Sequence, residues 1–310
     1  MREKICILMS TYNGERYILE QLSSLFSQNV DADILIYIRD DGSQDKTIEI
    51  IEQFRAINDS NIEIIISEGD NVGVHRSFLE VLYSAPEADY YAFCDQDDYW
   101  KEDKLQIALS YLYNKQEPAL FYSGYEVVDN SLKHICNESI TGQTSNSVIQ
   151  ILFQNRVPGC VMVFNRYLRC EIMKARSIES VRMHDAYVLC IAFITGIILH
   201  DHRCLIQYRQ HASNALGYRS KHKSVKDWLK EKLKLLRDGD GYDMTEVADC
   251  LYKTFGDVCT ERQKSDLKMI SEYKNVFSQK LRLLNSRDIR SVNNLSSTIS
   301  IFCRILLNVI

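Results

Sequence analysis

The stretch YYAFCDQDD, residues 90–98, joins a short apolar run to a loop that carries three carboxylates. An apolar run of this length that stops at polar residues is typical of a buried strand. Three earlier runs have the same form, and each is followed by a polar loop and then by apolar residues at helical spacing. They are KICILM (4–9), ILIYI (34–38) and IEIIIS (62–67). Regular strand–helix alternation with short connections predicts βαβ units and a parallel sheet with helices on both faces.

The loops that follow these four strands are expected to meet. In an open α/β sheet the ligand site lies beyond the carboxyl ends of the strands. All four loops are polar and rich in Gly, Asn or Asp, and they cover residues 10–14, 39–43, 68–73 and 95–98. Four loops at one edge predict a ligand site there more firmly than any one loop does.

The rest of the chain is less regular. We expect strands at 119–122, 125–128, 158–164 and 203–209, and helices at 147–154 and 185–197. Beyond Gly217 the pattern is helical, at 225–237, 245–255 and from 261 to about 284. The sequence therefore predicts a first domain over residues 1–218 and a helical C-terminal extension over 219–310.

Composition limits the possible functions. The 310 residues are 45% apolar and 25% charged, with a net charge of −5, which is an ordinary globular balance and disfavours a general nucleic-acid binder. The charge is uneven, because residues 219–310 carry 18 basic and 12 acidic side chains. This basic tail has two open interpretations: it docks on an anionic lipid surface, or it packs on the core or on another copy as a helical cap.

The ten cysteines contain no C-x-x-C pair, and most lie in apolar runs. They are expected to be small buried hydrophobic residues in a reducing compartment. The longest apolar run, residues 186–199, is too short to span a bilayer, and the N-terminus does not resemble a signal peptide. We expect a cytoplasmic protein, with peripheral contact at the inner face of the cell membrane left open.

Asp95 and Asp97 form a D-x-D directly after a predicted strand. At a turn both carboxylates reach one ligand, and Mg²⁺ usually takes one or two carboxylates together with water and substrate phosphate. A lone D-x-D is common and is usually only solvated, but its place after the fourth strand favours a diphosphate–metal site. His211 ends a later predicted strand and is either a structural residue, a further metal ligand or a diphosphate contact.

Three other motifs have two interpretations each. In the DDGS motif, residues 40–43, either a turn and a helix cap suffice, or one carboxylate also accepts the imide N–H of a pyrimidine. Repulsion between adjacent carboxylates favours the second interpretation. Asn71 to Gly73 either cap a helix or lie near phosphates. Asp185 opens an apolar helix, as a cap or as a general base; the sequence alone favours the cap.

Several enzyme classes lack their signature here. The first loop, STYNGE, has one glycine and not the G-x-G-x-x-G of a dinucleotide oxidoreductase. The chain has no G-x-x-x-x-G-K-[ST] of a P-loop NTPase. Its D-x-D follows the fourth strand, whereas an aspartate-nucleophile phosphatase would carry it after the first.

Taken together, five motifs in this order resemble the family 2 glycosyltransferases: STYNG (10–14), DDGS (40–43), CDQDDYW (94–100), HD (184–185) and YRQH (208–211). The resemblance covers residues 4–217, and the CDQDDYW form is similar to bacterial rhamnosyltransferases of surface-polysaccharide gene clusters. It implies an α/β GT-A fold with a Rossmann-like, mostly parallel sheet, helices on both faces and a C-terminal helical extension.

The resemblance also implies a nucleotide site. Thr11 and Asp41 match positions that hold the base, and Tyr12 and Asn13 match positions that shape its pocket. Asp95 matches a position near the ribose and the metal. The donor is then a dTDP- or UDP-sugar, and the acceptor a saccharide or a lipid-linked saccharide.

The remaining implied roles concern the reaction. Asp97 matches the principal ligand of an Mg²⁺ or Mn²⁺ ion, His211 a position near the diphosphate and metal, and Asp185 the catalytic base of an inverting transfer. A cation offsets the charge that develops on the leaving diphosphate, and a carboxylate takes the proton of the acceptor hydroxyl. A homologue that binds nucleotide sugars without turnover is the alternative, which the presence of both Asp97 and Asp185 disfavours.

Overall fold

The computed structural model describes residues 2–58, 62–138, 147–176, 183–211, 243–290 and 295–308. The chain divides into two compact units. The first comprises Met1–Gly142, Val157–Met173 and Gly196–Gly217, and the second comprises Gln143–Arg156, Lys174–Thr195 and Tyr218–Ile310. Two inner segments thus group with the C-terminal region. The boundary expected near 218 and the helix expected at 225–237 lie outside the described residues.

The first unit is built on one sheet, to which the described residues contribute nine strands. In chain order they are β1 (Glu3–Thr11), β2 (Ala32–Asp40), β3 (Glu63–Glu68), β4 (Tyr90–Asp95), β5 (Tyr99–Trp100), β6 (Ala119–Val128), β7 (His134–Glu138), β8 (Met162–Asn165) and β9 (Ile197–Arg209). Their spatial order is β3-β2-β1-β4-β8-β6-β9-β5, with β7 paired to β6.

The parallel part of the sheet is the one that the sequence pattern predicts. β1 runs parallel to β2 and β4, and β2 runs parallel to β3. The register aligns Thr11 with Asp40 and Ser10 with Asp95, so the ends of these strands lie side by side. The other half is mixed, because β8 is antiparallel to β4 and β6, while β9 is parallel to β6 and antiparallel to β5. The expected α/β architecture is confirmed, with more antiparallel pairing than the sequence indicated.

The helices of the described residues cover both units. They are α1 (Ile18–Phe26), α2 (Thr47–Ile57), α3 (Val74–Ser84), α4 (Lys104–Leu112), α5 (Val148–Gln154), α6 (Arg166–Lys174), α7 (His184–Thr195), α8 (Met244–Phe255), α9 (Glu261–Glu272), α10 (Phe277–Asn285), α11 (Arg287–Arg290) and α12 (Leu295–Leu306). In β1 every residue from Ile5 to Thr11 is buried, so both faces of this central strand are covered.

The second unit is helical where it is described. α7 is buried at ten of its residues, packs against α5 and contacts α8, and α8 packs on α9. Thr260 and Gln263 form a reciprocal capping box at the start of α9, which satisfies two N–H groups that the helix itself leaves free. Within the described parts of the chain, no helix combines the length and the apolar character needed to cross a membrane.

All ten cysteines are free thiols, and five of them are buried. The expectation that they serve as small buried hydrophobic residues is confirmed for those five, while Cys170 is exposed. The five buried residues are Cys6, Cys94, Cys160, Cys190 and Cys259.

Candidate functional site

The loops after β1 and β2 are joined at the strand ends. The Thr11 hydroxyl donates to Asp40 Oδ1 at 2.8 Å, and the Asp41 amide donates to the Thr11 carbonyl at 2.8 Å. The second oxygen of Asp40 accepts the amides of Gly42 and Ser43 at 3.1 and 2.7 Å. Asp40 is therefore the buried acceptor around which the DDGS turn is built.

Asn13 holds the same two loops together from the other side. Its amide donates to Ser43 Oγ at 2.9 Å, and its side-chain Oδ1 accepts the Gln44 amide at 2.8 Å. Its φ of 48° lies in the left-handed region, which Asn tolerates better than most residues. The Gly14 amide adds a bond to Thr47 Oγ1 at 2.7 Å. The STYNG and DDGS motifs thus fix each other through reciprocal bonds between backbone and side chain.

Asp41 is 2% exposed and has its own set of donors. Its carboxylate accepts from Arg39 Nη1 at 2.5 Å and from the amides of Val72 and Gly73 at 2.9 Å each. Gly73, with a φ of 85°, is the N-cap of α3 and has no side chain that could cap the helix. The Asp41 carboxylate, from another loop, accepts backbone N–H groups at this helix start in its place. The repulsion between adjacent carboxylates is therefore no argument for a ligand, because Asp40 and Asp41 are each satisfied by separate donors within the protein. The role of Asp41 in binding the base stays a prediction.

Arg39 is the cation behind this arrangement, and the sequence reasoning missed it. It is 7% exposed and also contacts Glu80 at 2.8 Å, Ser77 Oγ at 3.0 Å and the Asp70 carbonyl at 3.1 Å. Its signal in the sequence was a basic residue directly after the predicted strand 34–38, just before the two aspartates of the DDGS motif. A buried guanidinium with these partners lowers the cost of burying the Asp41 carboxylate.

The structure brings together the two residues expected to hold a metal. His211 Nε2 lies 2.7 Å from Asp97 Oδ2, and the two side chains are 9% and 16% exposed. The His211 ring stacks on Tyr17 with centroids 4.8 Å apart. A carboxylate oxygen and an imidazole nitrogen at this distance are donors of the kind that bind divalent cations.

Arg209, two residues before the histidine of the YRQH motif, organises this corner of the site and was also missed. It is 1% exposed, its Nε donates to the Asp97 carbonyl at 2.8 Å, and its amide donates to Asp98 Oδ1 at 3.1 Å. The guanidinium further donates to the Asn130 carbonyl at 2.6 Å and forms an ion pair with Glu20. One side chain therefore ties the D-x-D loop to the end of β9 and to α1.

Two fully buried ionisable side chains, Asp98 and Lys104, lie close to the D-x-D loop. Asp98 is fully buried, and burial, with smaller contributions from Asp95 and Asp97, raises the pKa of its carboxyl well above its usual range. Lys104 is also fully buried, with Nζ 2.9 Å from the Cys160 carbonyl, and burial lowers its pKa to about 7. Ligand atoms of Asp95, Asp98 and Cys160 lie within 4.8 Å of one another, which is a second set able to hold a cation. Lys104 interacts electrostatically with all three of these residues, and in its protonated form it would compete with a metal ion there.

Asp185 belongs to the second unit. It lies in the first turn of α7, is 4% exposed, and its Oδ1 accepts the Ala186 amide at 2.6 Å. The hydroxyl of Tyr187 donates to the Ala175 carbonyl at 2.8 Å and holds the start of the helix. An acidic residue in the first turn suits the helix dipole. Its role as a catalytic base stays a prediction.

Comparison with known sequences identifies a family. The model described as Glycosyl transferase family 2 matches residues 6–172, more than half of the chain. The dTDP-rhamnosyl transferase RfbG of Shigella flexneri is 29% identical over 217 residues, which cover 67% of this chain and 73% of that protein. An uncharacterised Mycobacterium tuberculosis protein is 28% identical over 208 residues, and the match covers 58% of its length.

Comparison with solved structures addresses the fold. The Staphylococcus aureus TarS 1–349 complex with UDP-GlcNAc has a TM-score of 0.59 at 16% identity and covers 98% of this chain and 79% of that one. The mannosyltransferase PcManGT of Pyrobaculum calidifontis, in complex with GDP-Man and Mn²⁺, has a TM-score of 0.52 at 14% identity and covers 100% and 81% of the two chains. These similarities confirm the GT-A fold that the motifs implied.

Proposed function

Because the chain belongs to glycosyl transferase family 2, and is therefore a glycosyltransferase, we propose that it transfers a sugar from a dTDP- or UDP-sugar to a saccharide or lipid-linked acceptor during surface polysaccharide synthesis. Rhamnose is the proposed sugar, supported by the similarity to a protein named as a dTDP-rhamnosyl transferase.

The proposed metal ligands are Asp97 and His211. Their oxygen and nitrogen atoms are hydrogen-bonded to each other at 2.7 Å and would move apart slightly to hold an ion. The carboxylate suits both Mg²⁺ and Mn²⁺, whereas an imidazole suits a transition-metal ion better than Mg²⁺. When bound, such an ion supplies Lewis-acid stabilisation of the diphosphate charge. Arg209 orients the Asp97 backbone, and Tyr17 fixes the plane of the His211 ring.

The proposed nucleotide pocket uses the loop after β1. Tyr12 and Asn13 are exposed and would line it, with Asp95 near the ribose. Thr11 and Asp41 are buried and would contact the base from the protein interior, below the exposed Tyr12 and Asn13. A carboxylate has about four acceptor positions, of which Asp41 uses three, so one is left for the imide N–H of the base.

Asp185 is the proposed general base. Its carboxylate would take the proton of the acceptor hydroxyl as that oxygen attacks the anomeric carbon, and the nucleoside diphosphate would leave from the opposite face. One displacement of this kind inverts the anomeric centre and needs no covalent sugar–enzyme intermediate.

We also propose a cytoplasmic location with peripheral membrane contact through the C-terminal helices. On α10, Phe277 and Leu281 are 73% and 44% exposed and lie one turn apart. Lys280 Nζ donates to Asn308 Oδ1 at 2.6 Å, just after the exposed Leu306 at the end of α12. Exposed apolar side chains beside basic ones suit an anionic lipid surface. Packing of the tail on the protein remains the competing proposal.

The observation that carries the proposed function is the meeting of the β1, β2 and β4 loops at one edge of the sheet, with His211 against Asp97. The test is a thermal-shift screen of UDP-, dTDP- and GDP-sugars with and without Mn²⁺, followed by NMR of the product. We expect stabilisation by a dTDP- or UDP-sugar that depends on Mn²⁺, and a product with inverted anomeric configuration. Binding without turnover on any saccharide acceptor would favour the binding-only homologue.

A further inference from the structure

The middle residue of the D-x-D, Gln96, makes two hydrogen bonds to the backbone of Tyr12. Its Oε1 accepts the Tyr12 amide at 2.9 Å, and its Nε2 donates to the Tyr12 carbonyl at 2.9 Å. This is the pattern of a β-bridge, with a side-chain amide in place of a second strand. To satisfy both the amide and the carbonyl of Tyr12, the side chain at position 96 must be as long as glutamine and must carry both a donor and an acceptor.

Gly14 makes room for this contact. A Cβ at Gly14 would lie 2.2 Å from Gln96 Oε1, 2.7 Å from Cδ and 3.3 Å from Nε2, and these are its three nearest atoms. Gly14 does not have a positive φ, so glycine is needed here for space and not for backbone conformation. The glycine of STYNG and the glutamine of the D-x-D are therefore a matched pair, 82 positions apart in the sequence.

We propose that Gln96 is a positioning residue that sets the spacing between the nucleotide loop and the metal-binding carboxylates. This inference rests on the proposed function. Gln96 is flanked by Asp95 and Asp97, and its partner Tyr12 is flanked by Thr11 and Asn13. A nucleotide sugar has a fixed distance between its base and its diphosphate, and loops already held at that distance lose less entropy when the donor binds.

The first test uses Gln96→Glu and Gln96→Met. At neutral pH the glutamate has no proton to donate to the Tyr12 carbonyl, and methionine makes neither bond. We expect the donor KM of both variants to rise about tenfold, the scale of one to two net hydrogen bonds, while kcat stays within about threefold. Gln53→Glu on α2, an exposed glutamine outside the site, is the matched control and should keep wild-type kinetics.

The second test is a double-mutant cycle with Gly14→Ala and Gln96→Ala. Because the three atoms nearest to the added methyl group all belong to Gln96, Gly14→Ala should raise the donor KM in the wild type and add little in the Gln96→Ala background. The same non-additivity should be seen in the melting temperatures without ligand.

Two results would overturn the proposal while leaving the proposed function intact: an unchanged donor KM in both Gln96 variants, or additive effects of Gly14→Ala and Gln96→Ala. Failure of the proposed function is recognised separately, because the wild type would then bind no nucleotide sugar, and the positioning role would be overturned with it.

Discussion

His211 Nε2 lies 2.7 Å from Asp97 Oδ2, although the two residues are 114 positions apart in the sequence. β9 carries His211 to the D-x-D loop, and Tyr17 on the other side holds the imidazole plane. In this arrangement a carboxylate and an imidazole face each other in a mostly buried corner. Its burial distinguishes this pair from an ordinary surface salt bridge, which is usually exposed and weak, and it is the pair proposed above to hold a divalent cation.

The first prediction concerns this pair. Asp97→Ala should abolish turnover and remove the effect of Mn²⁺ on nucleotide-sugar affinity, because the principal ligand is lost. His211→Ala should weaken the Mn²⁺ dependence about 10–100-fold. Calorimetric titration of the donor at several Mn²⁺ concentrations measures both. Asp31→Ala, at an acidic side chain that is 85% exposed, is the control. Unchanged activity of Asp97→Ala would exclude a metal role.

The second prediction concerns Arg209. Arg209→Lys keeps the charge but loses the planar fork that reaches the Asp97 and Asn130 carbonyls. We expect a melting temperature lower by several degrees and, in addition, a weaker Mn²⁺ dependence of donor binding, because the Asp97 loop is no longer held. A lower melting temperature with an unchanged Mn²⁺ dependence would show that Arg209 is only structural.

The strands and helices that the sequence predicts well are those with long periodic patterns. The apolar residues at helical spacing after the third predicted strand are found as α3, whereas the two-residue β5 was missed because its pairing with β9 creates no pattern of its own. Two short strands expected at 119–122 and 125–128 are one strand, β6. The helix expected at 185–197 ends at Thr195, and β9 begins two residues later, earlier than expected.

Side chains that organise the site are harder to predict from the sequence. Lys104 follows Lys101, Glu102 and Asp103, a charged run that is typical of solvated surface, yet its ammonium lies over the Trp100 ring, 2.9 Å from the centroid. Its burial is set by tertiary packing, which leaves no local signal. The acidic loops were predictable because the topology of parallel strands places their carboxyl ends at one edge.

The third prediction tests the proposed base. Asp185→Asn keeps an acceptor oxygen for the Ala186 amide, so the fold should be retained. The rate should fall about 10²–10⁴-fold, while the donor dissociation constant stays near that of the wild type. Single-turnover kinetics and donor titration measure the two effects. Near-normal turnover would assign the base to another residue.

The fourth prediction tests membrane contact. The wild type should float with vesicles that contain anionic lipid and less so at high salt, because polybasic attraction is screened. Replacing Phe277 and Leu281 with serine should reduce recovery. Ile57→Ser, at an isoleucine on α2 that is 79% exposed, removes an equally exposed apolar side chain elsewhere and serves as the control. A wild type that does not float would favour the packing role of the tail.

The fifth prediction links stability to pH through Asp266 on α9. Burial raises the pKa of this carboxyl to about 6, and Asp288 adds to the shift, while Arg262 and Arg282 oppose it. Since the pKa in the unfolded chain is near 4, the folded state binds more protons between about pH 4 and 6. The protonated carboxyl therefore contributes stability below about pH 4, and this contribution is lost as the pH rises through 6.

Asp266→Asn removes this dependence. At pH 7 it should raise the free energy of unfolding by about 1 kcal/mol, a value reduced for residual solvent screening, and at pH 4 it should have little effect. Urea unfolding at several pH values measures the difference. Asp249→Asn on α8, whose exposed carboxylate pairs with the exposed Lys253, provides the matched control and should show no such trend. A constant difference between Asp266→Asn and the wild type from pH 4 to 7 would mean that Asp266 is charged throughout and that its burial does not shift its titration.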